Sequence, residues 1–257
     1  MKNILLMTAT VSPNAGRAIT LRADPEVRRK DYEDALRFYL SIGGTALDGI
    51  IFCENSGADL GSLEAIARAE NPLGLPVTFH SSVSDSPVEY GKSHAELLMM
   101  DRVYADLIAG QPETIRHWKV TGRIRIAKLD RVIRTTPPDT KLIIDLRLVP
   151  SWLRRFGTDR WADTRLIGFT PMGYEAYLLE KRRLVGTPGH SYTVELAIFP
   201  LLLEAYKRGE KVVPRFGAQP VMMGIGAESN KDYNSVQARL KNTIRRFTRR
   251  LLPSLWL

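Results

Sequence analysis

The chain has 257 residues, 44% hydrophobic and 25% charged, which fits one large α/β domain, alone or with an appendage, and excludes global disorder. Its net charge of +9 favours partners that carry phosphate: nucleotides, nucleic acid or an anionic membrane. The single cysteine, Cys53, permits no disulfide and is expected to be a buried thiol in a reducing compartment. No apolar run reaches the roughly 18 residues of a membrane span, and the N-terminus turns polar too soon for a signal peptide.

Strands and helices alternate through the first half of the chain. Residues 3–11 predict a first strand, and Asp24 and Pro25 predict the start of a helix that ends at Gly43. Further strands are predicted in 47–57, 75–82, 115–126, 140–149, 164–169 and 210–219, and further helices in 62–70, 95–108, 127–136, 171–185 and 191–209. This order predicts a mostly parallel, doubly wound sheet, with ligands beyond the carboxyl ends of its strands.

The segment Gly91-Lys92-Ser93 has two interpretations. It matches the end of a phosphate-binding P-loop, but Ser86 stands where that loop has its first glycine and Pro87 removes an N–H donor. Ser93 and Glu96 also have the spacing of a capping box at the start of a helix. The second interpretation makes Glu96 a cap.

Polar side chains gather at the predicted strand ends. Lys119 and Arg123 flank Gly122 and could neutralise a diphosphate, or be solvated cations of a surface turn. Glu54, Asn55 and Ser56 could hydrogen-bond a base or a sugar, or only form a turn.

Three carboxylates are candidates for acid–base chemistry. Glu195 lies in the first turn of a predicted helix, where the helix dipole favours a carboxylate, and it could be a general base. Asp163 with Arg165, and Asp145 with Arg147, are either ligand groups or salt bridges. The sequence has no Gly-x-Gly-x-x-Gly after the first strand, no Cys/His cluster and no Gly-x-Ser-x-Gly.

Six motifs in this order resemble bacterial glycosyltransferases from capsule and O-antigen loci. They are ATVSPN, DPEVRRKDYEDALRFYL, IIFCENSG, YGKSHAE, WKVTGRIRIAKLDRVI and DTRLIGF, and they span residue 8 to about residue 200. The resemblance implies a GT-A-like fold, with a nucleotide-binding sheet flanked by helices and a C-terminal helical part near the acceptor and the membrane. Gly91-Lys92 would then precede a helix that lines the donor site.

The resemblance also implies roles for single residues. If the transfer inverts the anomeric centre, the acceptor hydroxyl needs a base, and the candidates are Glu195, first because of its helix position, then Asp163 and Asp145; a retaining transfer would make a different demand. Arg165 and His190 would be the acceptor-binding residues. The donor-binding residues would be Thr10, Glu54, Asn55, Ser56, Lys92, Lys119, Thr121, Gly122 and Arg123.

The chain departs from this group in two respects. Its YGKSHAE segment is less rich in glycine, and it has no convincing Asp-x-Asp metal motif. We therefore expect Lys119 and Arg123 to stabilise the leaving diphosphate in place of a metal. The nucleotide sugar is then the only required co-reactant, with Mg²⁺ or Mn²⁺ left open and no metal-binding residue assigned.

The last 27 residues, 231–257, form a separate segment after a single domain at 1–230. Basic residues alternate there with apolar ones at helical spacing, which predicts a basic amphipathic helix on an anionic membrane surface, or one packed on the domain. Nucleic acid is not expected, because no nucleic-acid motif is present. The expected location is the inner face of the cytoplasmic membrane.

Two other classes of function stay open. One is a P-loop-like phosphotransferase or sulfotransferase that binds its nucleotide at Gly91-Lys92-Ser93. The other is a non-catalytic protein that binds anionic lipid or another polyanion.

Overall fold

The computed structural model describes residues 1–14, 21–42, 46–148, 160–186 and 193–226, and scattered residues from 232 to 251. The strands are β1 Lys2–Ala9, β2 Gly49–Glu54, β3 Val77–Ser81, β4 Ile115–Thr121, β5 Arg125–Ala127, β6 Leu142–Leu148, β7 Arg160–Phe169, β8 Val212–Val213 and β9 Val221–Met223. The α-helices are α1 Pro25–Ile42, α2 Gly61–Ala69, α3 Gly91–Val103, α4 Leu129–Arg134, α5 Pro171–Tyr177 and α6 Val194–Lys207.

Seven strands form one sheet in the order β3-β2-β1-β4-β7-β6-β8. All of its pairings are parallel except those of β7, which runs antiparallel to both β4 and β6. Strands β5 and β9 make a separate two-stranded sheet. The expected mostly parallel α/β sheet flanked by helices is therefore confirmed.

The two faces of the sheet bury two hydrophobic cores. Consecutive residues of β1 point to opposite faces, so Leu5 packs with Tyr32 and Leu36 of α1, whereas Leu6 packs with Met99 of α3. Helices α1, α2 and α4 cover the first face, and α3, α5 and α6 cover the second. None of the helices in the described part of the chain is long and apolar enough to cross a membrane.

Local signals fix the start of α1. The Asp24 carboxylate accepts hydrogen bonds from the backbone N–H groups of Glu26 and Val27, at 2.8 and 3.1 Å, as the sequence predicts for an N-cap. The predicted capping box at α3 is wrong. The helix begins at Gly91, so Ser93 lies inside it, and Tyr90 at the cap makes no side-chain hydrogen bond.

The predicted strand at 115–126 is two strands, because the chain turns at Gly122. The N–H of this glycine donates to the Thr8 carbonyl at 2.8 Å, and a Cβ there would lie 2.7 Å from the same oxygen. The predicted strand at 210–219 is reduced to Val212 and Val213. Helix α6 runs through Pro200, whereas the predicted helix at 171–185 splits into α5 and a 3₁₀ turn at Lys181–Leu184.

The pairing of β6 with β7 shifts register in the middle. Ile144 pairs with Ile167, but the next residue, Asp145, pairs with Asp163, so residues 164–166 have no partner on β6. Leu166 pairs instead with Val120 of β4. The shift reverses the alternation of faces along β7, because Ala162 and Leu166, four residues apart, lie in different cores. Asp163 contacts Arg147 of β6, and Thr164 contacts Glu195 of α6 on the other face.

Candidate functional site

The carboxyl ends of β1, β2 and β4 meet at one edge of the sheet, as their parallel pairing requires. The amino end of α3 lies over this edge, since Glu96 of α3 contacts Thr8 at the end of β1. Ligands of α/β sheets bind at such an edge. The candidate site is built here.

An ion pair between β4 and α3 forms the centre of the site. The Lys119 ammonium lies 2.8 Å from Glu96 Oε1 and donates to the Thr164 carbonyl at 2.7 Å. The Thr8 hydroxyl contacts the same Glu96 oxygen at 2.8 Å. Because only 3% of the Lys119 side chain is exposed, its charge is balanced within the protein.

A second carboxylate reaches this centre from α6. The Thr164 hydroxyl donates to Glu195 Oε1 at 2.9 Å, and Glu195 occupies the first turn of α6 as predicted. Burial raises the pKa of Glu195, and the negative charge of Glu96 adds to this effect, against the Thr164 hydrogen bond and the Lys119 charge. Glu195 therefore binds a proton more readily than an ordinary glutamate.

Lys92, one helical turn before Glu96, completes what we call the lysine cluster: Lys92, Glu96, Lys119 and Glu195. Its side chain is exposed, yet desolvation lowers the pKa of the ammonium, against the attraction of Glu195 and Glu96. Arg123 lowers this pKa further through charge repulsion, so its guanidinium also lies near. Among the described residues of the lysine cluster and the turn after β4, Lys92 is exposed and Arg123 is partly exposed.

The two glutamates of the lysine cluster have opposite pKa shifts. Burial acts to raise the pKa of Glu96, but the charge of Lys119 and hydrogen bonds from Lys119 and Thr8 outweigh it and lower the pKa. The pKa of Glu195 is raised. Carboxylates whose pKa values are pushed apart are suited to different roles, here a fixed negative charge and a proton acceptor.

Glu54 is used inside the fold. It is fully buried, and its carboxylate accepts hydrogen bonds from the N–H of Val11 at 2.9 Å and of Ser56 at 2.8 Å. It thus ties the loop after β1 to the loop after β2. The predicted donor-binding role of Glu54 stays a prediction, and these contacts favour a part in shaping the loops.

Thr10, Asn55 and Ser56 belong to the same pair of loops. The Thr10 hydroxyl donates to the Asn55 side chain at 2.7 Å, and Ser56 Oγ accepts from the N–H of Ser12 at 3.0 Å. The Asn55 amide also donates to the Ala95 carbonyl in α3 at 3.3 Å. Asn55 therefore holds α3 next to the strand ends.

Arg28 is a residue that the sequence reasoning missed. Its guanidinium donates to the Thr10 carbonyl at 2.7 Å, and its side chain is buried against Tyr32. The Tyr32 hydroxyl in turn accepts from the Thr10 N–H at 3.0 Å. Both residues lie on the buried face of α1, and they fix the loop in which the predicted donor residue Thr10 sits.

The glycine-containing turn after β4 positions other predicted residues. Thr121 pairs with Thr8 in the sheet, and Arg123 donates to the Ile225 carbonyl at 3.3 Å. The close approach that Gly122 permits is to the backbone of β1. His190, a predicted acceptor residue, lies outside the described residues.

A second charged group, the arginine cluster, consists of Arg147, Asp163, Arg165 and Arg245. Arg165 donates to both oxygens of Asp163, at 2.7 and 2.5 Å, and Arg147 also donates to this carboxylate. Burial acts to raise the pKa of Asp163, but the charges of Arg165 and Arg147 outweigh it and lower the pKa. Asp163 is held ionised, and Asp145 beside it accepts from the Phe216 N–H at 3.1 Å.

The described residues hold no group of three or more His, Cys, Asp or Glu side chains able to bind a metal ion. The carboxylates of the lysine cluster do not fit a divalent cation, because the Lys119 ammonium already lies against Glu96. The charge of Lys92 also acts on both glutamates. We therefore derive no step through a metal.

Thr8, Glu96 and Thr164 are three further residues of the site to which sequence reasoning assigned no ligand or catalytic role. Only Glu96 had a usable signal, because Lys92 and Glu96 are four residues apart and share one face of a helix. Thr8 and Thr164 have no such signal in the sequence, because their contacts depend on which strands are neighbours in the sheet.

No protein-family model and no curated protein matches the chain. Solved structures similar to it include the inositol-1-phosphate CTP transferase from T. maritima, with 14% identity, coverage of 95% of this chain and 96% of that one, and a TM-score of 0.48. HddC from Yersinia pseudotuberculosis has 11% identity, 95% and 99% coverage and a TM-score of 0.40. Mouse xyloside xylosyltransferase 1 has 9% identity, 82% and 83% coverage and a TM-score of 0.42. These matches, all below 25% identity and a TM-score of 0.5, assign no function to this chain.

Proposed function

We propose that the protein is a glycosyltransferase that moves a sugar from a nucleotide-sugar donor to a hydroxyl of a glycan acceptor. The observation that supports this most is Glu195, a carboxyl with a raised pKa beside the cations Lys92 and Lys119 at the carboxyl edge of the sheet. A proton acceptor next to positive charge is what transfer to a hydroxyl from a diphosphate leaving group requires.

In the proposed reaction, the acceptor oxygen attacks the anomeric carbon of the donor sugar. The bond between that carbon and the diphosphate oxygen breaks, and its electron pair leaves with the nucleoside diphosphate. Glu195 takes the proton from the acceptor hydroxyl. A base on the acceptor implies direct displacement, so we expect the configuration at the anomeric carbon to be inverted.

Protein cations would stabilise the leaving group. Lys119 is buried against Glu96, so its effect is to hold Glu96 and the nearby backbone in place. Lys92 and Arg123 are more accessible, and we assign them the direct contact with the diphosphate. This revises the expectation that Lys119 and Arg123 do so together.

The loops after β1 and β2 would receive the nucleoside. Glu54 and Arg28 fix the backbone of these loops, and Thr10 and Ser56 are the partly exposed members of their hydrogen-bond network. We propose that Thr10 and Ser56 contact the base or ribose, with Asn55 as a positioning residue.

The wider role is synthesis of a surface polysaccharide of the capsule or O-antigen type on a lipid-linked acceptor. Its support is the resemblance of the six sequence motifs and the basic C-terminal segment, in which Phe247 and Leu251 are 65% and 56% exposed. A basic segment with exposed apolar side chains suits an anionic membrane surface. We therefore propose that the protein acts at the inner face of the cytoplasmic membrane.

Thermal stabilisation by UDP, GDP, CMP and ATP, each with Mn²⁺ and with EDTA, tests the proposal. A ligand at about 100 times its Kd adds about 2.7 kcal/mol to the free energy of unfolding. We expect stabilisation by UDP, GDP or CMP that persists in EDTA and weakens in Lys92→Met. Stabilisation by ATP alone, dependent on metal, would favour a phosphotransferase, and steep salt-dependent binding of any polyanion would favour a non-catalytic protein.

A further inference from the structure

We propose that Thr164 is a positioning residue of the transfer reaction: its hydroxyl holds one carboxylate oxygen of Glu195, Oε1, so that the other, Oε2, takes the proton of the acceptor hydroxyl. The hold on Glu195 is argued from the contacts of Thr164. Its part in transfer rests on the proposed function.

Thr164 lies in the irregular part of β7. The pairing of β7 with β6 jumps from Ile167 to Asp163, and its pairing with β4 ends at Leu166. Irregularities of this kind re-aim side chains and are frequent next to active sites. The carbonyl and the hydroxyl of Thr164 both bond to side chains of other elements.

The carbonyl of Thr164 is held from β4. It accepts a hydrogen bond from the Lys119 ammonium at 2.7 Å, and the same ammonium lies 2.8 Å from Glu96 Oε1. Water hardly competes for these contacts, because the Lys119 side chain is 3% exposed. The ion pair therefore fixes the residue whose hydroxyl faces Glu195.

The hydroxyl of Thr164 is held toward α6. It donates its single proton to Glu195 Oε1 at 2.9 Å, and within the described part of the chain it is the one side chain that hydrogen-bonds this carboxylate. The N–H of Glu195 itself also contacts the carboxylate, but each carboxylate oxygen can accept two hydrogen bonds. An acceptor hydroxyl can therefore bond to Oε2 while Oε1 keeps its bond to Thr164.

This contact supplies what a general base needs besides its charge. A base must have a lone pair directed at the proton that it takes, and a third group commonly orients it. The last torsion of a glutamate side chain is broad, so a carboxylate without a fixed partner does not present one defined oxygen. Thr164 removes this freedom from Glu195.

The same contact acts on the protonation of Glu195. Burial raises the pKa of Glu195, and the charge of Glu96 raises it further. The hydrogen bond from Thr164 lowers this pKa, as does the charge of Lys119, and Lys92 attracts the same carboxylate from α3. Thr164 thus favours the ionised form, which is the form able to take a proton.

The experiment compares the wild type with Thr164→Val, Thr164→Ser and Thr136→Val. Valine is close to threonine in shape and lacks the hydroxyl, whereas serine keeps the hydroxyl. Thr136 is the matched control, because it is 7% exposed like Thr164 and its hydroxyl donates to the Val132 carbonyl of α4, which covers the other face of the sheet.

Two quantities are measured on the full chain. ¹³C NMR of the carboxyl groups follows the titration of Glu195, whose signal is identified by its absence in Glu195→Gln. Single-turnover transfer measures the rate. If Thr164→Val did not fold, Thr164→Ala would remove the same hydroxyl.

We expect Thr164→Val to raise the pKa of Glu195 and to slow transfer about tenfold, as the loss of one hydrogen bond does, with nucleotide binding retained. Thr164→Ser should restore both quantities, and Thr136→Val should change neither. An unchanged titration of Glu195 in Thr164→Val, or equal losses of rate in Thr164→Val and Thr136→Val, would overturn the proposal. Absence of transfer in the wild type would overturn the proposed function, and the NMR titration would still decide whether Thr164 holds Glu195.

Discussion

The lysine cluster and the arginine cluster each contain a largely buried carboxylate near cations, Glu195 and Asp163, but the pKa values of these two carboxylates shift in opposite directions. Asp163 receives three hydrogen bonds from two guanidinium groups, which lower its pKa and keep it ionised. Glu195 receives one from the neutral Thr164 hydroxyl and has Glu96 as a negative neighbour, so its pKa rises. Direct pairing with two arginines keeps Asp163 ionised, whereas Glu195, which lies near Lys119 without an ion pair to it and beside Glu96, has a raised pKa.

The largest expected effect concerns the proton acceptor. Glu195→Gln keeps the shape of the side chain and removes its basicity, so the transfer rate should fall about 10²–10⁴-fold with nucleotide binding retained. Single-turnover transfer with the donor found in the nucleotide screen measures this.

Asp163→Asn is the matched variant for this comparison. It should lower the free energy of unfolding and leave the pH profile of transfer unchanged, because Asp163 is ionised throughout. If Asp163→Asn abolished transfer and Glu195→Gln did not, the roles of the two clusters would be reversed.

The pH profile sharpens the same comparison. A base with a raised pKa must lose its proton to act, so kcat/KM should rise with pH through the raised pKa of Glu195. In Glu96→Gln this rise of kcat/KM should move to lower pH, because the negative charge of Glu96, which raises the pKa of Glu195, is removed. If the rise of kcat/KM occurred at the same pH in Glu96→Gln as in the wild type, the group that titrates would not be Glu195.

Lys119→Met tests whether the ion pair at the centre of the lysine cluster supports the fold. The substitution removes the ammonium that pairs with Glu96, whose side chain is 32% exposed and still feels the charge of Lys92. We therefore expect a loss of about 2–3 kcal/mol in the free energy of unfolding, below the 3–5 typical of fully buried pairs. Urea denaturation measures this. The double variant Lys119→Met with Glu96→Leu should recover part of the loss, and additive losses would contradict a coupled pair.

Asp163 of β7 and His117 of β4 are expected to affect stability in acid in different pH ranges. Asp163, with a lowered pKa, contributes stability that is present above its unfolded pKa and is lost only as pH falls through the lower folded pKa. His117 behaves differently: it is fully buried and stacks on Phe169, and burial lowers its pKa to about 4. Because its unfolded form takes up a proton first, stability should fall between pH 6.5 and 4, by up to about 3 kcal/mol.

In His117→Phe, the melting temperature should depend less on pH between about 6.5 and 4 than in the wild type. Asp163→Asn should keep the pH dependence of the wild type in this range. An unchanged acid slope in His117→Phe would assign the loss to another group.

The smallest expected effect is at the turn after β4. Gly122→Ala places a methyl group 2.7 Å from the Thr8 carbonyl and should cost about 1–3 kcal/mol by moving β4 away from β1. Gly61→Ala is its control, since its nearest neighbours are the Asp59 carboxylate oxygens at 3.4 Å. Equal unfolding midpoints for Gly122→Ala and Gly61→Ala would show that the turn after β4 accommodates the methyl group without loss of stability.

The sequence predicted what local rules decide. Asp24 and Pro25 start α1, the alternation of elements predicts the parallel sheet, and Glu195 falls in the first turn of α6. The capping box failed although Ser93 and Glu96 had its spacing, because the chain reaches α3 through a 3₁₀ turn and a left-handed Gly91, with φ at 76°.

The sequence could not predict which strand neighbours each polar side chain. Glu54 looked like a ligand group and holds two loops, whereas Glu96 looked like a cap and pairs with Lys119. Both outcomes depend on contacts between elements distant in the sequence, and residue types alone do not encode them.

The register shift in β7 has an evolutionary consequence. It reverses which face each side chain takes, so Asp163 contacts Arg147 on one face and Thr164 contacts Glu195 on the other. Substitutions at Arg147 or Arg245 can alter one face while the hydroxyl that orients Glu195 stays in place. The charge of one face of the sheet can thus change in descendants of this chain while the Thr164–Glu195 hydrogen bond on the other face is kept.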